Sequence, residues 1–181
     1  MSTPKKIITK TERLVYSNTY ARVFDNGVIF PNGVEGYYLK FEWTAPYSVG
    51  VLPVLEDNRI YLIRNFRYAR NEISIEIPKG FGDEGMLPAE AAAKELREET
   101  GLAAAEFHHV ASLAPDPALI TNSIHLFEAR GCREKFHRKP ENTEVLASPL
   151  IVDRSDIIGL IRNHSITDAI TVSALLLHFA M

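Results

Sequence analysis

The segment from Gly80 to Leu102 reads GFGDEGMLPAEAAAKELREETGL, and its pattern decides how the chain divides into elements. Pro88 fits the first position of a helix and Gly101 fits the position just past its end, so the segment predicts a helix between them. Three glycines ahead of Pro88 predict a loop that leads into this helix: Gly80, Gly82 and Gly85.

The predicted helix carries three glutamates on neighbouring positions of one face. Glu95, Glu98 and Glu99 are spaced i, i+3 and i+4, where like charges repel by a few tenths of a kcal/mol per pair (about 0.2–0.5). They also lie near the negative end of the helix dipole, which costs roughly 0.3–1 kcal/mol each. A divalent cation would reverse both penalties, and oxygen-only donors favour Mg²⁺ or Mn²⁺. A solvated acidic face, with Lys94 and Arg97 as local partners, is the alternative that spacing alone leaves open.

Apolar runs and turn residues on both sides of this helix predict strands and further helices. Expected strands cover residues 49–55, 60–65, 73–77, 107–113 and 123–129, and expected helices cover 153–163 and 167–179. Strands with interspersed helices around one sheet predict an α/β (α+β) domain over residues 47–181.

Residues 1–46 are expected to form a small antiparallel β appendage. Turns are predicted at Asp25-Asn26-Gly27 and Pro31-Asn32-Gly33, and a half-exposed strand at 37–43. So short a segment cannot bury a core alone, so we expect it to pack on the main domain or on a second subunit.

Composition excludes several classes of protein. The 181 residues are 46% hydrophobic and 24% charged, which is typical of globular domains. A net charge of -3 disfavours sequence-independent nucleic-acid binding, and no apolar run approaches the roughly 20 residues of a membrane span. Cys132 is the only cysteine, so no disulfide framework is possible, and a cytoplasmic location is expected. An anionic substrate would need a local basic cluster or a metal ion.

The quoted segment resembles the Nudix box, G-x5-E-x7-R-E-U-x-E-E-x-G-U, where U is an aliphatic residue. Seven positions match in register: Gly80, Glu95, Leu96, Glu98, Glu99, Gly101 and Leu102. Two positions depart, because Met86 replaces the first box glutamate and Lys94 replaces the box arginine. The resemblance implies an α/β/α sandwich with a mixed sheet. It also implies divalent ions held by Glu95, Glu98 and Glu99, joined by a backbone carbonyl at Lys79.

Sequence around the box resembles the ADP-ribose pyrophosphatase-like branch of the Nudix superfamily. In residues 60–80 the resemblance implies phosphate-binding cations among Arg64, Arg67 and Arg70, and a substrate-contacting carboxylate at Glu76. Ordinary surface charges, and a solvent-facing Glu76, are the alternatives. This branch often takes its catalytic base from a later acidic loop, which points first to Glu141 and second to Glu144; Glu98 and Glu95 of the box are further candidates.

The resemblance implies a Mg²⁺-dependent hydrolase that cleaves the diphosphate of ADP-ribose or another nucleotide sugar, acting as a homodimer. The products would be a nucleoside monophosphate and a phosphorylated sugar. Met86 and Lys94 motivate a second hypothesis, a Nudix-fold sensor that binds a nucleotide without hydrolysing it. A third hypothesis is a structural domain with an acidic helix, which would not respond to Mg²⁺.

Overall fold

The computed structural model describes residues 5–141 and 144–180, and within them the N-terminal region forms a separate four-stranded antiparallel sheet. Its central strand is β3, which pairs with β1 and β2 on one side and with β4 on the other. The expected antiparallel appendage is therefore observed. Its strands are β1 (Ile8–Thr11), β2 (Leu14–Ser17), β3 (Ala21–Ile29) and β4 (Glu35–Trp43).

The turn predicted at Asp25-Asn26-Gly27 is wrong, because this tripeptide lies inside β3. Strands on both sides of β3 hold it extended, and this pairing overrides the local preference of these residues for a turn. The backbone N–H of Arg13 donates to Asn26 Oδ1 at 3.1 Å, so the buried amide has a partner within the sheet.

The remaining strands form a mixed sheet around the strand pair β5 and β11, which run parallel. The order is β10-β11-β5-β6-β12, with β7 beside β6, β8 beside β5 and β9 beside β11. β5 and β6 pair only at Val54 and Ile60, so the sheet opens toward the ends where β7 and β8 lie. The strands are β5 (Ser48–Leu55), β6 (Ile60–Arg67), β7 (Glu72–Glu76), β8 (Lys79–Phe81), β9 (Leu102–Ala103), β10 (Glu106–Leu113), β11 (Ile124–Glu134) and β12 (Leu150–Val152).

Helices cover both faces of this sheet, which confirms the expected α/β/α sandwich. On one face α1 (Pro88–Thr100) buries Ala91, Ala92 and Leu96 against the sheet. On the other face α2 (Ile157–Arg162) and α3 (Ala169–Ala180) bury Ile157, Ala174 and Leu175. No helix in the described part of the chain is long and apolar enough to cross a membrane.

The segment between Pro78 and Pro88, expected to be a loop, begins with a short strand that its glycines do not predict. Lys79–Phe81 forms β8 and pairs with Ser48–Gly50 of β5, so Gly80 sits in a ladder instead of a loop. The domain boundary at 46/47 falls between β4 and β5 and stays a prediction.

Backbone hydrogen bonds connect the N-terminal sheet to the main domain. Phe41 N–H donates to the Leu119 carbonyl at 2.9 Å, and Thr121 N–H donates to the Phe41 carbonyl at 3.1 Å. The Trp43 and Phe81 rings lie 5.2 Å apart, next to the start of the box. The appendage therefore packs on the main domain, as one of the two expected alternatives requires.

The segment that follows β11 crosses the C-terminal end of α1. Gly101 ends the helix in the left-handed conformation (φ 74°), and its carbonyl accepts the N–H of Phe136 at 2.9 Å. A Cβ at Gly101 would overlap the carbonyl oxygen of Phe136. Lys139 N–H donates to the Glu98 carbonyl at 2.9 Å, and Arg138 Nε donates to the Glu99 carbonyl at 2.8 Å. These bonds satisfy carbonyls that the helix end leaves without intrahelical partners.

We expect Gly101→Ala to lower the free energy of unfolding by about 2–4 kcal/mol, because strain at positive φ and a backbone clash add together. Gly85→Ala is the matched control, since Gly85 has a φ of 81° and no atom within 4 Å of the place that a Cβ would take. The control should lose only about 1 kcal/mol. Urea unfolding of both variants tests this, and equal losses would contradict the role of the crossing segment.

Candidate functional site

Helix α1 turns two of its three box glutamates toward the interior. Glu95 and Glu99 are buried at 5% and 0% exposure, whereas Glu98 lies at the rim with 24% of its side chain exposed. Glu95 reaches Gly80 of β8 so closely that a Cβ there would overlap its carboxyl group. The glycine that opens the box is therefore required for the carboxylate to approach the strand.

Glu99 joins the helix to the start of β8. Its Oε2 accepts the backbone N–H of Lys79 at 3.1 Å, while its Oε1 is buried and has no hydrogen-bond partner within the described residues. An orphaned carboxylate oxygen in the interior is costly, and such an atom calls for a proton or a cation.

The surroundings of both buried glutamates disfavour their charged forms. Burial is the main cause that raises the pKa of Glu99 to about 10, and the nearby carboxyls of Glu144 and Glu95 raise it further. Burial is also the main cause that raises the pKa of Glu95 to about 7; Lys94 opposes it, and Glu98, Glu144 and Glu141 add repulsion. Without a compensating cation, Glu99 would hold its proton at neutral pH and Glu95 would be about half protonated.

The structure brings the two later acidic candidates to this cluster. Glu144 is half-buried and its charge contributes to the raised pKa of Glu99, and its Oε2 accepts the backbone N–H of Glu141 at 3.0 Å. Glu141 is exposed and influences Glu95 through its charge. Five carboxylates from two distant segments therefore share one region: Glu95, Glu98, Glu99, Glu141 and Glu144.

The donor set fits a hard divalent cation. All the converging groups are carboxylate oxygens, one of them is buried and unpartnered, and their mutual repulsion disappears when a cation is present. Within residues 5–141 and 144–180, no three His, Cys, Asp or Glu side chains are already gathered at metal-binding distances. The structure places Lys79 at this cluster through its N–H, and the ligand role of its carbonyl stays a prediction.

An ion-pair network lies beside the carboxylate cluster. Arg67 Nε lies 3.1 Å from both carboxylate oxygens of Glu76, and Lys79 Nζ lies 3.1 Å from Glu76 Oε2 and 2.7 Å from Asp168 Oδ2. Burial alone would raise the pKa of Glu76, but the hydrogen bond from Arg67 and the charge of Lys79 lower it to about 2. Glu76 is only 3% exposed, so the expectation that it could face solvent is wrong.

Asp168 belongs to this network and was missed by reasoning from the sequence. Its Oδ2 accepts both the backbone N–H of Thr171 at 2.8 Å and the Thr171 hydroxyl at 2.6 Å, which caps the start of α3. Thr171 Oγ1 in turn accepts the N–H of Ile77 at 3.0 Å. Thr167-Asp168 ahead of an apolar run is a recognisable cap signal, but its proximity to Lys79 is a tertiary feature.

The three arginines of the expected phosphate-binding cluster do not converge. Arg67 is matched by Glu76 and keeps 38% of its side chain exposed, whereas Arg70 is exposed and pairs with Glu72. Arg64 and Arg67 are three positions apart in β6, so their side chains leave opposite faces of the strand. The hydrogen bond with Glu76 is the main cause that raises the pKa of Arg67, and the charge of Glu99 adds to it.

The two departures from the box leave the three carboxylates in place, and Lys94 lies close enough to Glu95 for its charge to oppose the rise in the pKa of that carboxyl. Met86 packs as a partly buried side chain against the α1 side of the core, and its carbonyl accepts a hydrogen bond from the Tyr47 hydroxyl. Lys94 Nζ lies 3.8 Å from Asp83 Oδ2. Neither substitution removes a buried glutamate from the cluster.

Comparisons with known proteins agree with this geometry. A model of the NUDIX domain matches residues 44–152. The chain is 26% identical over 166 residues to the methanol dehydrogenase activator of Bacillus methanolicus, and the alignment covers 91% of this chain and 88% of the relative. It is 25% identical over 175 residues to the ADP-ribose pyrophosphatase of Bacillus subtilis (strain 168), covering 96% and 92%. A solved structure of an ADP compounds hydrolase shares the fold with a TM-score of 0.86 at 21% identity, covering 99% of this chain and 96% of that one.

In the metal-free protein we expect the free energy of unfolding to fall as the pH rises from 5 to 8. Folded Glu95 and Glu99, with pKa values of about 7 and about 10 against an ordinary 4.5, bind protons that the unfolded chain releases. The loss should exceed about 1 kcal/mol, because one pKa unit corresponds to about 1.4 kcal/mol. Urea unfolding in a chelator measures it.

Mg²⁺ should restore more stability at pH 8 than at pH 5, and Glu99→Gln should flatten the pH dependence and weaken the response to Mg²⁺. The amide of the variant can still accept the Lys79 N–H, so the fold is retained. Identical pH slopes in the wild type and Glu99→Gln would contradict the assignment.

Proposed function

Because the chain belongs to the NUDIX domain family, we propose that it is a pyrophosphatase that cleaves the diphosphate linkage of ADP-ribose or another nucleotide sugar. The products are a nucleoside monophosphate and a phosphorylated sugar. The similarity to an ADP-ribose pyrophosphatase over nearly the whole of both chains supports this substrate class.

The observation that carries the proposal is the buried, unpartnered Oε1 of Glu99 inside a cluster of carboxylates. The neighbouring Glu76 is almost as deeply buried, but Arg67 and Lys79 form ion pairs with it. Burial by itself therefore does not account for the unpartnered oxygen of Glu99. A site for Mg²⁺ or Mn²⁺ accounts for this contrast, with Glu95, Glu98, Glu99 and the Lys79 carbonyl as the proposed ligands.

When bound, a divalent ion supplies charge neutralisation for the diphosphate and lowers the pKa of a water molecule. The chain's own carboxylates remove the proton from the attacking water. The water oxygen bonds to one phosphorus, the bond from that phosphorus to the bridging oxygen breaks, and the bridging oxygen leaves with the other phosphate. Arg67, whose side chain stays 38% exposed beside Glu76, is the proposed residue that orients a phosphate oxygen.

Glu144 is the proposed general base. It is half-buried and its charge acts on both Glu99 and Glu95, whereas Glu141, the first choice from the sequence, is exposed and its charge acts on Glu95. Glu141 is then a positioning residue, because its N–H holds the Glu144 carboxylate at 3.0 Å. Glu98 and Glu95 remain the alternatives within the box.

The sensor hypothesis rested on Met86 and Lys94, and neither residue disturbs the proposed ligands. Met86 fills an apolar position in the core, so its side chain has a packing role that a glutamate would not serve. Hydrolysis is therefore favoured over binding without turnover.

A homodimer is proposed from the apolar face of the N-terminal sheet. Tyr16, Tyr37 and Leu39 lie on one face of this sheet and are 56%, 72% and 51% exposed. Neighbouring apolar side chains of this size are typical of a subunit interface. A cytoplasmic location is also proposed, since the single cysteine, Cys132, is buried in the core with a pKa that burial raises to about 12.

A panel of nucleoside diphosphate sugars with Mg²⁺ or Mn²⁺ should show hydrolysis to the nucleoside monophosphate. Glu144→Gln should lower kcat by roughly 10²–10⁴-fold, since a general base contributes on that order. Glu141→Gln should lower it far less, because its backbone N–H, which holds Glu144, is retained. Chromatography of the nucleotide product measures both. The absence of turnover across the panel would overturn the proposed function, and equal losses would overturn the choice of base.

Sedimentation should show a dimer that Tyr37→Lys/Leu39→Lys converts to monomers, because two charges would be buried in the apolar interface. Tyr68→Lys is the control, since Tyr68 is 92% exposed at the turn between β6 and β7, outside the N-terminal sheet. A monomeric wild type, or a double variant that remains dimeric, would contradict the proposed interface.

A further inference from the structure

A cleft of about 710 Å³ opens beside Glu98, on the side of α1 where the segment of residues 135–139 passes. Its volume lies within the range of about 300–1,000 Å³ that is usual for small-molecule sites. Phe136 contributes an apolar wall, and the polar and charged side chains that line the cleft are Arg97, Glu98, Glu134, Lys135, His137 and Lys139.

The two lysines of this cleft are not committed to other groups. In the part of the chain that the structure describes, neither Lys135 nor Lys139 forms an ion pair, and the Lys135 Nζ lies 5.6 Å from the centre of the Phe136 ring. Arg97 has a loose contact of 3.5 Å with Glu98. By contrast, Arg67 and Arg70 of the expected phosphate-binding cluster are each paired with a glutamate.

Backbone hydrogen bonds hold both lysines next to the candidate metal site. Lys135 N–H donates to the Gly101 carbonyl at 3.1 Å, and Lys139 N–H donates to the Glu98 carbonyl at 2.9 Å. The C-terminal end of a helix repels anions by itself, so an anion in this cleft has to be attracted by the side chains. The capping bonds reduce that repulsion because they cover the helix carbonyls.

We propose that this cleft binds the leaving half of the substrate, and that Lys135 and Lys139 hold the phosphate that departs with the sugar. The inference rests on the proposed function, since it assigns one half of a diphosphate substrate to one side of Glu98. The nucleoside half then lies on the other side of the carboxylates, toward Arg67. Lysine ammonium groups suit this role because each donates several hydrogen bonds to phosphate oxygens.

The test is the double variant Lys135→Gln/Lys139→Gln, assayed with ADP-ribose and with each product as an inhibitor. We expect KM to rise about tenfold with kcat within about threefold, because the lysines bind the phosphate equally before and during the reaction. The inhibition constant of ribose 5-phosphate should rise about tenfold, which corresponds to about 1.4 kcal/mol, while that of AMP stays unchanged.

The control Arg59→Gln/Arg162→Gln removes the same number of charges outside the cleft. Arg59 pairs with Asp57 in the turn between β5 and β6, and Arg162 ends α2. This control should leave KM and both inhibition constants unchanged, so a general effect of net charge is separated from a local one.

Calorimetry with ribose 5-phosphate in Mg²⁺ separates failure of this inference from failure of the proposed function. If the wild type hydrolyses none of the compounds, the function fails, yet tighter binding of ribose 5-phosphate to the wild type than to the double variant still supports the cleft. The inference is overturned if the wild type does not bind ribose 5-phosphate at millimolar concentration, or if both proteins bind it equally. It is also overturned if the double variant binds AMP more weakly and ribose 5-phosphate as well as the wild type does.

Discussion

The burial of two like charges on adjacent turns of α1 is the constraint on which the rest of the site depends. Glu95 and Glu99 are tolerated in the interior only because Gly80 leaves room for one carboxylate and the Lys79 N–H meets the other. One carboxylate oxygen of Glu99 still has no hydrogen-bond partner among the described residues. The pKa of this carboxyl is accordingly raised to about 10. A divalent cation would stabilise the charged form of this cluster, which is why the proposed metal site is assigned here.

A neighbouring network shows how the same residue type behaves when compensation is complete. Glu76 is nearly as buried as Glu99, yet Arg67 and Lys79 hold its pKa at about 2. Lys79 connects the two environments, because its N–H meets Glu99 while its ammonium group meets Glu76 and Asp168. Asp168 also caps α3, so the helix on the far side of the sheet is tied to the strand that borders the carboxylate cluster. The charge of Glu76 is therefore balanced by neighbouring cations, whereas among the described residues the Glu99 carboxyl accepts only the N–H of Lys79.

The elements that could be predicted were those whose signals are local. Pro88 and Gly101 bound α1 as expected, and apolar runs located the main strands of the sheet. The turn at residues 25–27 failed because strands on both sides of β3 hold the tripeptide extended. The short strand β8 was concealed because Gly80 suits a loop by itself but serves here to admit Glu95.

The sequence by itself determined the spacing of Glu95, Glu98 and Glu99, the helix that carries them and the family resemblance, because helical periodicity and capping depend on residues a few positions apart. Only the tertiary structure decided which carboxylates are buried and that the charge of Glu144 acts on Glu99. It also decided that Arg67 and Arg70 are paired, whereas Lys135 and Lys139 form no ion pair within residues 5–141 and 144–180. Desolvation and ion pairing depend on groups brought together from distant parts of the chain, and spacing along the sequence carries no record of those distances.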